Sequence, residues 1–286
     1  MIPDWINGFW MSPDVTIGPW SVSRYPPSPN QRENANIIRS FFLNEGWSLE
    51  SICGMLGCMQ GESTINPAFI QETHRNRLPY NGTDLTVLIN YVMMHFYAEY
   101  YQDTRRGYAI GLVQWDGYSN RGGVQGQKLV NYCRDNNIMW WDGWSQLYRL
   151  RGEWQYDVTN HSHTFMYSVN RGGSTWDFQT YPGCTLSPTD CAYIWTTGYE
   201  RNRGGLGDRG LNAEWWFDFF TNDPTAPAVI PPENFSQPTA SDPEEPPFDP
   251  EDPEPVDPPG ANYLPDWLMA YFVYKRKRGG KKWLVT

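Results

Sequence analysis

The sequence predicts a mainly α-helical body over residues 31–221, followed by an extended C-terminal spacer rich in Pro and acidic residues. Three observations carry that prediction. Apolar residues recur at helical spacing in several separate windows of the body. No strand pair with hairpin chemistry stands out beyond a short one around residues 108–115. After Asn222 the composition breaks sharply into Pro with Asp and Glu.

Residues 1–30 are rich in Pro, Ser and Trp and show no helical period. They read as an extended arm laid over the body by Trp5, Phe9, Trp10 and Trp20. From Gln31 the pattern changes: Ile37, Ile38, Phe41 and Phe42 form an apolar helical face that ends near Gly46. Ser48 is placed to cap a second helix with Ile52, Met55, Leu56 and Met59 facing inward. That helix stops around Gly61, and Asn66-Pro67 bars its continuation. Asp84 could cap a longer helix carrying Leu85, Leu88, Ile89, Val92 and Phe96, and a loop over residues 107–123 follows. Further helices are expected over residues 125–136, 144–157 and 161–170. Ser187-Pro188-Thr189-Asp190 combines an N-cap, a first-turn Pro and an acid at the third position. The last helix of the body includes Trp215, Trp216, Phe219 and Phe220.

Residues 222–262 form the linker. Such a composition cannot bury a core, and its prolines and like charges hold it extended. At ~3.1 Å per residue it reaches on the order of 100 Å. Residues 263–286 are different again: an aromatic and apolar run, then Lys275-Arg276-Lys277-Arg278 and Lys281-Lys282. This tail reads as a docking peptide, with a membrane-surface or nucleic-acid contact as the alternatives.

Of the 286 residues 32 are acidic and 22 are Lys or Arg, a net charge of −10 that argues against DNA or RNA as a partner of the body. Much of that acidity lies in the spacer and says little about the folded part. Aromatic residues make up 16% of the chain, which suits a carbohydrate-facing groove, although core packing is the commoner fate of any one ring. Cys53 and Cys58 are poorly spaced for a bridge, whereas Cys184 and Cys191 bracket a short loop and could pair. The default for the five cysteines is reduced, buried thiols in a protein folded in cytosol. Met1-Ile2-Pro3-Asp4-Trp5 lacks the pattern of a secretory signal, and no stretch reaches the ~18–20 apolar residues of a membrane span.

The chemistry-bearing signal is Gly61-Glu62-Ser63 closing an apolar helix, with Gly111-Leu112-Val113-Gln114-Trp115 about fifty residues later. A carboxyl at that helix end, flanked by Met59 and Ile65, is expected to be partly desolvated and so to hold its proton for general-acid work. Ser63 could orient the carboxyl or a sugar amide, and Gln114 offers both donor and acceptor for an N-acetyl group. Trp115 and Tyr108 add candidate substrate-facing rings. Asp116 is the local candidate for a second carboxylate. An inverting hydrolase would place one ~6.5–9.5 Å from the acid to activate water. Glu200 is expected to be a structural ion-pair partner of a nearby Arg. His161-Ser162-His163, His74 and His95 have no matching acid at metal-ligand spacing, and no Gly-rich phosphate loop exists, so no metal or cofactor is expected. Cys53 and Cys58 lie on the apolar helix, which disfavours a Cys–His amidase.

The stretch from Ile52 through Gly61-Glu62-Ser63-Thr64-Ile65-Asn66-Pro67, joined with Gly111 to Trp115, resembles the phage tail lysozymes. That family comprises the lysozyme domains of tail-tip wall hydrolases, distantly similar to goose-type lysozymes and lytic transglycosylases. Tyr199-Glu200-Arg201 resembles its C-terminal Tyr-Glu-Arg element, and the likeness covers roughly residues 31–215. The resemblance implies a lysozyme-like helical domain that cleaves the glycan strands of bacterial peptidoglycan with Glu62 as general acid. It also implies a place on the virion, in the phage tail, with tail proteins held by the C-terminal segment; this accounts for the missing export signal. Departures from the pattern are a long insert at residues 72–106, Asp116 where the family continues with a small polar residue, and only Tyr167-Ser168-Val169-Asn170 for the transglycosylase Tyr-Asn motif. Hydrolysis and transglycosylation both stay open. So do an inactive structural or wall-binding role and a free endolysin.

Overall fold

A computed structural model of the chain describes residues 5–6, 8–10, 27–69, 109–115, 129, 140–160, 167–200 and 205–222. The fold is mainly α-helical. The expected helices starting at Asp84 and over residues 125–136 lie outside the described residues, except that Leu129 is helical and buried. The spacer and tail lie outside them entirely.

Helix α1 (Pro29–Asn44) starts two residues before the apolar pattern begins, because Ser28 closes a capping box. The Gln31 amide donates to Ser28 Oγ (3.3 Å), and the Ser28 amide donates to Gln31 Oε1 (2.6 Å). Gly46, at φ +84°, turns the chain towards Ser48, whose Oγ accepts from the Ser51 amide and caps α2 (Leu49–Ser63). Every residue from 51 to 60 is buried, so α2 is the central helix and needs no polar face there. It packs chiefly against α4 (Pro188–Gly198) and α5 (Arg209–Asn222). Two glycines make this approach possible. A Cβ on Gly54 would lie 2.5 Å from Cys191 Cβ in α4, and one on Gly57 would lie 2.4 Å from the Arg209 carbonyl in α5. Ser187 caps α4 as expected, accepting from the Asp190 amide at 3.1 Å. Helix α3 (Gly143–Asn160) carries the Asp142 carboxylate at its start, accepting from the Ser145 amide.

Of the expected helix over residues 161–170, residues 161–166 lie outside the described residues, and the described end is not helical. Val169 and Asn170 belong to a hairpin, β3 (Val169–Arg171) with β4 (Ser174–Trp176), paired Val169↔Trp176 to Arg171↔Ser174. Gly172 and Gly173 stand at φ +58° and +78°, the two positive values that a tight hairpin turn demands and that glycine takes without a Cβ clash. Around residues 108–115 the short pairing reduces to one antiparallel bridge, Ile110 with Trp115.

Among the described residues most aromatic rings go inside. Trp140, Trp144, Trp195, Trp216 and Tyr181 are all less than 2% exposed, and Trp47 packs against Phe42, Phe178, Tyr181 and Trp195. The N-terminal arm contributes a minimal hairpin, β1 (Trp5–Ile6) with β2 (Phe9–Trp10). Phe9 is fully buried edge-on against Trp144, in space that the missing Cβ of Gly143 leaves free. The four described cysteines are free and buried; Cys184 and Cys191 meet as thiols with their sulfurs 3.3 Å apart. No described helix is long and apolar enough to cross a membrane.

Candidate active site

The end of α2 is built to turn sharply. Thr64 and Ile65 both take φ +56°, a left-handed conformation that β-branched residues rarely adopt and that costs of order 1–3 kcal/mol each. Side chains of α1 hold the strained pair in place: Gln31 Nε2 donates to the Thr64 carbonyl (3.2 Å) and Asn34 Nδ2 to the Ile65 carbonyl (2.7 Å). Asn34 is fully buried and also bonds both backbone groups of Trp10, so the arm, α1 and the turn after Glu62 share one amide.

Ser63 Oγ lies within hydrogen-bonding distance of two carbonyls, Met59 in its own helix (3.0 Å) and Leu112 (2.7 Å). The bond to Leu112 latches the helix end to the loop carrying Gly111 to Trp115. Gln146 of α3 completes the latch: its Oε1 accepts from the Leu112 amide, and its Nε2 donates to the carbonyls of Pro67 and Trp140. A Cβ on Gly111 would strike that Gln146 side chain at 2.7 Å, which accounts for the glycine. Gln114, at φ +52°, donates to the Gly111 carbonyl, while its Oε1 has no hydrogen-bond partner among the described residues. Trp115 is 3% exposed and gives its indole N–H to Glu153, which also takes bonds from Arg149 and Tyr199. Trp115 thus supports the loop from beneath, and the fully buried Ser63 fastens it.

Glu62 itself is 27% exposed and forms an ion pair with Arg209, the first residue of α5. A Cβ on Gly61 would meet Arg209 Cγ at 3.4 Å, an ordinary contact, so the arginine runs alongside this position without needing the glycine. Arg209 Nε also lies 3.1 Å from Glu200, the carboxylate expected to pair with an arginine, which is 8% exposed. One guanidinium therefore serves two carboxyls. Burial, then the charge of Glu62, pushes the Glu200 carboxyl up to about 8, against the opposing pull of Arg209 and a Cys58 thiol contact. Burial works against the charge on Arg209, but Glu200 and Glu62 outweigh it and hold the guanidinium above its ordinary range.

This arrangement lies within residues 33–220, which match the family model described as phage tail lysozyme. The chain belongs to the phage tail lysozyme family. It is also similar to Morphogenesis protein 1 of Bacillus phage B103, with 29% identity over 203 residues that cover 71% of this chain and 43% of that protein. The chain therefore spans less than half the length of that relative.

In this member of the family the structure brings together Glu62, Ser63, Gln114 and Trp115 through the latch between α2 and the loop. Tyr108, Asp116 and all four histidines lie outside the described residues. Sequence reasoning missed Arg209, Gln146, Gln31 and Asn34. Asn34 carried a usable signal: it falls in register with Ile37, Ile38 and Phe41, a polar side chain on an apolar helical face. Arg209 carried none, because it meets Glu62 only through the packing of α5 on α2.

Proposed function

We propose that the protein cleaves the glycan strand of bacterial peptidoglycan during phage entry, with Glu62 as the general acid. The observation that carries this reading is a partly exposed carboxyl at a helix end, held by a strained two-residue turn and latched to the Gly111–Trp115 loop. Backbone strain that many bonds over-determine is a mark of functional sites. Family membership points to the same class of substrate. Glu62 donates its proton to the glycosidic oxygen as the bond to the sugar breaks. Gln114 is the candidate for holding a sugar N-acetyl group, its Oε1 being buried and without a hydrogen-bond partner among the described residues, and Tyr108 is the candidate for stacking on the glycan. Ser63 and Trp115 keep the loop in place. Asp116 is the candidate base that activates water. The spacer and the aromatic-basic tail anchor the enzyme to phage tail proteins, so that the virion presents it from outside.

The test is mass spectrometry of fragments released from purified peptidoglycan by the full chain and by Glu62→Gln. The expected result is reducing-end muramic acid products that disappear in the variant. Anhydro-muramic products would replace hydrolysis by transglycosylation. The relative's name, Morphogenesis protein 1, favours a structural role as the second reading. No fragments from a folded wild-type chain would establish it at the expense of the first.

A further inference from the structure

Arg209, the ion-pair partner of Glu62, has a second carboxyl within reach. Glu200 stands 3.1 Å from Arg209 Nε and is the more buried of the two acids, 8% exposed against 27% for Glu62. With both carboxyls ionised the trio carries a net charge of −1 in a place with little water; one added proton makes it neutral. Three elements converge there. Helix α2 presents Glu62 and the Cys58 thiol, α5 presents Arg209, and α4 presents the Thr196 hydroxyl against Cys58, with Glu200 just beyond its end. Burial keeps Cys58 a neutral thiol, so only the two carboxyls exchange the proton.

We propose that Glu200 and Arg209 are positioning residues for Glu62: the trio holds one proton between two carboxyls, and Arg209 moving fully onto Glu200 leaves that proton on Glu62. This deepens the reading of Glu62 as the acid and rests on it. The proton then passes to the glycosidic oxygen, the sugar C–O bond breaks, and Arg209 returns to the newly formed Glu62 carboxylate. Solvent reloads the single proton.

The pH profile of fragment release by the full chain tests this. In Glu200→Gln the arginine has no competing carboxylate and stays on Glu62, so the alkaline limb of the profile should move to lower pH by about 1 unit or more. In Arg209→Gln the limb should move the opposite way. A purely structural role would lower the rate without moving the limb, and limbs that stay in place in both folded variants would overturn the proposal. Should either variant fail to fold, ¹³C-carboxyl NMR of Glu-labelled wild-type protein decides. Glu62 and Glu200, assigned through Glu62→Gln and Glu200→Asp, should share a two-step titration; two independent single-step curves would refute the coupling. Undiminished fragment release by Glu62→Gln would instead sink the reading of Glu62 as the acid, and the titration of the trio would remain a separate result.

Discussion

Replacing Gly57 by Ala should destabilise the protein and weaken its site together. The new Cβ would lie 2.4 Å from the Arg209 carbonyl oxygen and 2.7 Å from the Ala213 amide nitrogen. Ordinary contact begins at 3.4 Å, so α5 must retreat from α2 by 3.4 − 2.4 = 1.0 Å at Arg209. Both atoms struck are backbone, and no rotamer change can relieve the clash. Overpacking of this kind costs about 1–3 kcal/mol or more, while Ala gains ~0.5–1 kcal/mol over Gly inside a helix. The net loss is about 1 kcal/mol, a fall of about 2–4 °C in Tm for a domain of this size. Since the residue displaced is Arg209, fragment release should fall further than the fraction unfolded explains. The control is Gly152→Ala in α3, where a Cβ would meet nothing within 4 Å. That change should be neutral or stabilising by up to ~1 kcal/mol. Thermal unfolding followed by circular dichroism compares the two; equal melting temperatures would refute the close-packing argument.

Two further perturbations bear on the same elements. Asn34→Ala strips hydrogen bonds from the Ile65 carbonyl and from both backbone groups of Trp10, and should cost on the order of 2–3 kcal/mol in denaturant unfolding; a loss below 0.5 kcal/mol would mean that water replaces the amide at no cost. The Glu200 carboxyl, raised to about 8 mainly by burial, binds its proton more tightly folded than unfolded, so its contribution to stability is complete below about 4.5 and is lost as pH rises towards 8. Melting temperature should therefore decline from pH 5 to 8.5 in the wild type and decline less in Glu200→Gln; parallel curves would place the sensitivity elsewhere.

The helices that proved legible are those whose signals are local. Ser48 and Ser187 sit where a cap is needed, and the apolar faces of α1 and α2 repeat at helical spacing. The link between Glu62 and the Gly111–Trp115 loop was legible only as two motifs; that Ser63 joins them depends on a bond across 49 positions. The β3–β4 hairpin escaped because three-residue strands are too short to show alternation, although Gly172-Gly173 was the turn signal in plain sight. Extra arginines and glutamates on a sequence carry no label for the partner they will meet. Arg209 reaches Glu62 because Gly57 lets α5 lie close on α2, and a close approach is a property of two helices together. The abundance of Trp misleads in the other direction, as the Trp rings among the described residues are largely spent on the interior.

The buried Phe9 has a practical consequence for anyone dividing this chain into pieces. The family match begins at residue 33, inside α1, and a fragment cut there would lose the Ser28 cap and the first turn of that helix. It would lack the ring that lies beside Trp144 and Gly143, and truncating a buried Phe leaves a hole worth ~3–5 kcal/mol. The smallest piece that keeps this packing therefore starts upstream of residue 9, and a reporter or affinity handle belongs ahead of that point rather than in place of it.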